Sequence, residues 1–330
     1  MKRIILCGFG FMGQTHAANI LKNPDLELVA IVNAIPKDKV KPVAGNIATG
    51  KFDWRLLDTI PFFPTLGAAL AGCSADAVLI ATPTDFHVPM SLEAIAAGKH
   101  VFVEKPLCFT KEESDKLLAA LEGKELIFQV GHCVRFIQEY CLLADLWRSG
   151  KYGKLRHLTL CRKTGVPAWG AWGDQKPEIS SAAGPLFDLN IHDIDFALSL
   201  FGEPEKISAA KVAGTDMLFQ AELGFKDGVA VLIDGGFFPR PETPFRAAFT
   251  AIFDEAVLEF DTRTGLQLTS GGKSEAVTFE NAADCYYDEL AEFSGAMENR
   301  NTVQCKAADA ADAVAVCRKL AAHLSGRSME

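Results

Sequence analysis

Ile4-Ile5-Leu6-Cys7-Gly8-Phe9-Gly10-Phe11-Met12-Gly13 sets a strand-sized apolar run against three glycines in the spacing G-x-G-x-x-G. The residues that follow, Met12–Leu21, carry the periodicity of an amphipathic helix. Strand, tight turn and helix form the context without which the spacing carries little information. Each glycine has its own reason to be there: the first makes the turn, the second lets backbone approach a pyrophosphate, and the third lets helix pack on strand. The phosphates then meet the N-terminus of the helix. Gly8, Phe9, Gly10, Phe11, Met12 and Gly13 are therefore the expected cofactor turn, and an ordinary strand-to-helix turn is the competing reading.

Outward from this turn, short apolar runs alternate with amphipathic stretches. Strands are expected at Ile4–Cys7, Leu26–Val32, Ala77–Ile80, His100–Val103 and Leu126–Val130, and helices near Met12–Leu21, Leu66–Ala71, Val88–Ala97 and Lys111–Leu121. That alternation predicts a parallel sheet covered on both faces. After an amphipathic segment at Ile137–Arg148 the texture changes. From Lys154 to Phe279 most segments alternate polar and apolar residues between turn signals such as Lys226-Asp227-Gly228 and Ser270-Gly271-Gly272, which predicts antiparallel hairpins. One strong helix, Pro185–Phe201, interrupts them, and Ala307–Leu324 reads as a terminal helix.

A chain of 330 residues is long for a single core, so two domains are expected. The formal net charge of −9 argues against a surface that collects phosphate backbones or anionic lipid, which excludes nucleic acid and membrane partners and leaves a small-molecule substrate. Nine cysteines are scattered without a Cys-x-x-Cys pair, which points to reduced thiols and to no zinc knuckle. The N-terminus runs at once into a strand-like stretch with no leader pattern, and no apolar run reaches membrane-spanning length, so a cytoplasmic location is expected.

Three further positions carry chemistry. About 20 residues past the glycines, where an acid normally binds the ribose hydroxyls, stands Asn33. Asparagine can bind a ribose hydroxyl but does not repel a 2′-phosphate, so NAD and NADP both stay open. Lys37 and Lys39 read either as phosphate contacts or as a solvated loop. Next, Ala81-Thr82-Pro83 and Glu104-Lys105-Pro106 follow two expected strands and fall on the carboxyl edge where open α/β sheets bind ligands. Pro106 biases Lys105 toward an extended backbone, from which an ammonium can stabilise a developing alkoxide. A surface lysine beside a structural proline is the plain alternative.

The third is the helix Pro185–Phe201. At ~100° per residue, Asp188, His192, Asp195 and Ser199 fall in a strip roughly 60° wide, walled by Ile191 and Leu198 on one side and by Phe196 and Leu189 on the other. Asp188 and His192 can be a general-base pair. Asp188, His192 and Asp195 can hold a metal, but no other dense ligand motif supports that, and no metal is expected. A self-satisfied polar patch is the third reading.

Taken together, these residues resemble the glucose–fructose oxidoreductase / inositol dehydrogenase / MocA family, Gfo/Idh/MocA. The carriers occur in order: the glycine turn; Ala81-Thr82-Pro83 with His87; Ala97-Gly98-Lys99-His100-Val101 running into Glu104-Lys105-Pro106; Gly131-His132-Cys133-Val134-Arg135-Phe136; and Asp188 through His192 to Asp195. The resemblance implies an α/β protein with a Rossmann NAD(P)-binding domain over 1–125. It also implies a C-terminal α/β domain over 126–330, whose large open, mostly antiparallel sheet supplies a homodimer or homotetramer interface. Lys105, Asp188 and His192 fall on the catalytic positions; Thr82, Pro83, His87 and Glu104 lie along the cofactor, NAD or NADP. Two departures stand out: Asn33 replaces the usual acid, and Ala182-Ala183-Gly184-Pro185 stands where a glycine-richer run is usual.

The expected reaction is reversible oxidation of a secondary alcohol on a sugar, cyclitol or polyol, with the Lys105 ammonium and the Asp188–His192 couple acting on the reacting oxygen. Trp169, Trp172 and Tyr140 are candidates for stacking on a sugar ring, and Arg162, Lys163 and Arg246 for gripping an acidic substituent. Two rivals are a ligand sensor that keeps the dinucleotide fold without turnover and a reductase of an unrelated carbonyl or imine.

Overall fold

A computed structural model describes residues 1–43, 45, 51–167, 183–215, 217–299 and 301–326. In chain order it begins β1 (Lys2–Cys7), α1 (Phe11–Lys22), β2 (Leu26–Val32), β3 (Phe62–Phe63), α2 (Leu66–Gly72), β4 (Ala77–Ile80), α3 (His87–Ala96), β5 (His100–Glu104), α4 (Lys111–Leu121) and β6 (Phe128–Gly131). It continues with α5 (Gln138–Ser149), β7 (Leu155–Gly165), a single turn α6 (Ala183–Pro185), a π-helical turn at Leu186–Asn190 and α7 (Ile191–Phe201). Seven strands follow: β8 (Lys206–Lys211), β9 (Leu218–Gly224), β10 (Ala230–Phe238), β11 (Arg246–Phe253), β12 (Ala256–Asp261), β13 (Gly265–Ser270) and β14 (Lys273–Val277). The helices α8 (Cys285–Asn299) and α9 (Ala307–Ser325) come last.

The chain divides into two compact units, Met1–Cys133 with Asp284–Ala311, and Val134–Ala283 with the residues from Asp312 onward. The later segment joins the first unit because Leu290, Phe293 and Met297 of α8 are buried in the same apolar cluster as Ile4 and Leu6 of β1 and Phe102 of β5. No single residue boundary separates the units.

The first unit is built on a six-stranded sheet of order β3-β2-β1-β4-β5-β6 whose pairings are all parallel. Strand order reverses direction at β1/β4, so the carboxyl ends of those two strands flank a switch point, the usual ligand crevice of a doubly wound sheet. Ile4–Cys7 and Ala77–Ile80 are buried on both faces, as central parallel strands must be. Two helix ends are closed by local chemistry. Thr110 and Glu113 form a reciprocal capping box that starts α4, and Gly202, at φ +76°, stops α7.

The second unit has an eight-stranded sheet of order β14-β13-β12-β11-β7-β10-β9-β8, antiparallel except where β10 lies parallel to β7. No helix among the described residues is long and apolar enough to cross a membrane.

Candidate functional site

The switch point carries the glycine turn. Gly8 holds φ +87°, and a Cβ there would stand 2.5 Å from the carbonyl oxygen of Ala81; a Cβ on Gly13 would stand 2.1 Å from the carbonyl oxygen of Gly8. Both positions exclude any side chain. Gly10 is different: among the described residues a Cβ there meets nothing within 4 Å, so none of their atoms requires its bareness. No side chain at the N-cap caps α1, and its first turn contains no acid, so the amide end of the helix has neither a capping acceptor nor a carboxylate of its own. The turn fits a dinucleotide pyrophosphate.

Asn33, at the end of β2, spans this turn. Its side-chain oxygen accepts the Phe9 N–H at 3.3 Å, and its amide donates to the Ile35 carbonyl at 3.0 Å. Downstream, Lys37 is ion-paired with Asp58 at 3.2 Å, and Lys39 is exposed.

Thr82 and Lys105, half-buried, and Pro83, exposed, follow β4 and β5 on the same carboxyl edge. His87 ties the two segments together from inside. Its ring nitrogens lie 2.7 Å from the Pro106 carbonyl oxygen and 2.9 Å from that of Thr82, and the ring is 1% exposed. Burial holds its pKa below the usual histidine value despite those two carbonyls. The Glu104 carboxylate turns inward, 2.6 Å from Nε2 of His16 on α1, and accepts the Lys105 N–H at 3.2 Å. Burial pushes its pKa up, but the hydrogen bond and charge of His16, with the charge of Lys105, outweigh that and leave it below the ordinary carboxylate value. His16 is a residue that sequence reasoning passed over; its place in a helix pattern gave no sign that it backs Glu104.

In the second unit, Asp188 sits in the π-helical turn and His192 in the first turn of α7, both half-buried. Because a turn closed by i→i+5 bonds advances each residue by less than 100°, the uniform strip expected from the sequence does not persist. Asp195 leaves it: fully buried, it is gripped by two Arg135 nitrogens at 2.7 and 2.8 Å. Ser199 donates to the Phe196 carbonyl at 2.7 Å. Among the described residues, Asp188, His192 and Asp195 do not gather as a metal site would. Two members of the strip, Asp195 and Ser199, are thus packing partners.

A second network lies beneath the helix. Arg162 of β7 holds Asp193 at 3.0 Å and reaches the Tyr140 hydroxyl at 3.2 Å, while the Asn190 amide donates to Asp193 and to the Arg162 carbonyl, each at 3.2 Å. Burial raises the Asp193 pKa even against the Arg162 guanidinium. Arg162 and Tyr140 are therefore committed to the core and available to no substrate, and Tyr140 packs edge-on against Phe196, Phe249 and Phe260. Lys163 is paired with Asp234, and Arg246 with Asp261. Trp169 and Trp172 lie outside the described residues.

Residues 2–132 match the family described as an oxidoreductase family with an NAD-binding Rossmann fold, and residues 140–258 match the GFO/IDH/MocA C-terminal domain. The chain is 25% identical to the uncharacterized oxidoreductase YrbE of Bacillus subtilis, over 95% of this chain and 91% of that protein. It is 28% identical to an inositol 2-dehydrogenase of Rhizobium meliloti, over 70% of this chain and 64% of the relative. Among solved structures, the UDP-N-acetylglucosamine 3-dehydrogenase GnnA of Acidithiobacillus ferrooxidans superimposes with a TM-score of 0.78 at 23% identity, covering 98% of this chain and 99% of that one. The apo scyllo-inositol dehydrogenase of Lactobacillus casei does so with a TM-score of 0.79 at 20% identity, covering 99% and 96%. These likenesses establish the fold.

Proposed function

The chain belongs to the Gfo/Idh/MocA oxidoreductase family, and from that premise we propose a dehydrogenase that moves a hydride between NAD or NADP and a secondary alcohol or ketone of a sugar, cyclitol or related polyol. The observation that carries the reading is the shared strand edge. A glycine turn whose middle glycine has open space where a Cβ would stand, among the described residues, lies on the same carboxyl edge as a half-buried lysine. The names of relatives such as inositol 2-dehydrogenase support the polyol class.

When bound, the nicotinamide supplies the hydride acceptor or donor. The protein's own residues supply position, charge and a proton path. Gly8 to Gly13 would hold the pyrophosphate, and Asn33, Thr82 and Pro83 would contact the rest of the cofactor. His87 and Glu104 hold the backbone of those segments from behind. His192, oriented by Asp188, removes the hydroxyl proton, and Lys105 stabilises the oxygen as alkoxide or carbonyl. The open sheet of the second unit joins copies into a homodimer or homotetramer, and the enzyme works in the cytoplasm.

The test is Lys105→Met, assayed with NAD⁺ and NADP⁺ against a polyol panel by absorbance of the reduced nicotinamide. Turnover falls ~100-fold or more, while the dinucleotide Kd stays within about threefold, a change under 1 kcal/mol. Wild-type turnover in the variant removes Lys105 from the chemistry.

A further inference from the structure

Behind Lys105, the core of the first unit gathers acceptors without matching donors. His16 from α1, Glu104 from the end of β5 and Glu289 from α8 are 0%, 6% and 0% exposed, and their ligand atoms lie within 4.8 Å of one another. One link joins them, His16 Nε2 to Glu104 Oε1 at 2.6 Å. Among the described residues, His16 Nδ1 and both carboxylate oxygens of Glu289 are buried with no hydrogen-bond partner. Gln129 donates to the backbone carbonyl of Glu289 at 3.1 Å, so the helix turn is anchored while the carboxylate it carries is not.

Buried acceptors are matched by a donor or a cation. One imidazole nitrogen and two carboxylates form a donor set for a borderline divalent ion, and a dication balances the two carboxylate charges. Donors ~2.0–2.2 Å from one centre lie at most ~4.4 Å apart, so three already within 4.8 Å need only side-chain adjustment.

We propose that His16, Glu104 and Glu289 bind one divalent transition-metal cation, Zn²⁺ or Mn²⁺, as a structural site of the first unit. Binding displaces the proton between His16 and Glu104. Because the second Glu104 oxygen accepts the Lys105 N–H, the ion also fixes the strand end from which Lys105 projects. The site does not depend on the hydride-transfer reading, and its test reads metal and stability in place of turnover.

The full chain, purified without chelator or immobilised-metal resin, is analysed for bound metal by plasma mass spectrometry beside Glu289→Gln. About one equivalent per chain is expected in the wild type, falling about tenfold or more in the variant, since loss of a mere hydrogen-bond partner of a ligand already costs that much in affinity. Chelator treatment lowers the wild-type Tm, and ZnCl₂ or MnCl₂ restores it. If the variant does not fold, the wild-type metal content and titration still decide. A metal-free wild type whose Tm answers neither cation overturns the proposal, and so does a variant that keeps its metal. A metal-free protein in which Glu289→Gln is as stable as the wild type, or more so, assigns the gap to a proton held by Glu289.

Discussion

Gly8 and Gly10 stand two residues apart in one turn and are glycine for opposite reasons. At Gly8 the positive φ and the Ala81 carbonyl forbid a side chain in the folded protein itself; at Gly10 nothing among the described residues does. Their alanine variants therefore separate folding from binding. Gly8→Ala is expected to lose on the order of 3 kcal/mol of stability through backbone strain and overpacking, read as a lowered urea midpoint. Gly10→Ala is expected to melt with the wild type yet bind NAD(P) about tenfold more weakly, or worse, a loss of ~1.4 kcal/mol or more by calorimetry. Equal Tm losses in both variants would make the second glycine a structural one. The glycine turn was legible from sequence because its spacing, the positive φ of Gly8 and the contact of Gly13 with the Gly8 carbonyl all lie within six residues, although the Ala81 contact does not. Glu104 was not: its partner His16 is 88 residues away, and no short-range pattern encodes that distance.

Helix α7 shows where periodicity stops informing. The sequence located the helix and its polar residues, but a π-helical turn at Leu186–Asn190 breaks the 100° count, and only the fold shows that Asp195 belongs to Arg135 and Asp193 to Arg162. The second pair anchors the element. Asp193→Ala leaves a guanidinium without its counter-charge in the core and is expected to cost about 3–5 kcal/mol, measured by denaturant unfolding. A loss below 1 kcal/mol would mean that Tyr140 and backbone groups suffice to hold Arg162. At the end of β12, Asp261 titrates with the opposite consequence to a buried acid. Hydrogen bonds from Arg263 and Arg246 hold its folded pKa well below the 3.8 of a free carboxyl. A depressed acid contributes stability that is fully present above its unfolded pKa and is lost as pH falls through the folded one. Asp261→Asn is therefore expected to flatten the fall of Tm on acidification below about pH 4 relative to wild type, and to matter less at neutral pH in high salt, because Arg263 is exposed. A parallel acid limb in the variant would show that the pair is screened to nothing.

At the scale of the molecule, both sheets follow from texture: buried parallel runs early in the chain, alternating hairpins later. The return of α8 to the first unit does not. The sequence reading places no helix there, and Phe293 reaches Phe102, 5.8 Å between ring centroids, across 191 residues of chain. The open sheet poses the complementary question of what covers its outer face. One face takes the Tyr140 cluster; on the other, register aligns Leu232 with Thr159 and Thr250, and Ile252 with His157. Leu232 and Ile252 are 37% and 38% exposed, large aliphatic groups on strands β10 and β11, which flank β7 in the sheet. Apolar groups left there among polar neighbours suit a self-complementary interface in which like faces meet about a two-fold axis. Leu232→Arg sets like charges against each other across such an axis while leaving the buried face of β10 untouched. The wild type is expected to elute from size exclusion with light scattering as a dimer or tetramer, and the variant as a monomer with unchanged far-ultraviolet dichroism. An arginine variant that assembles as the wild type does would move the interface elsewhere on the second unit, and a monomeric wild type would remove it.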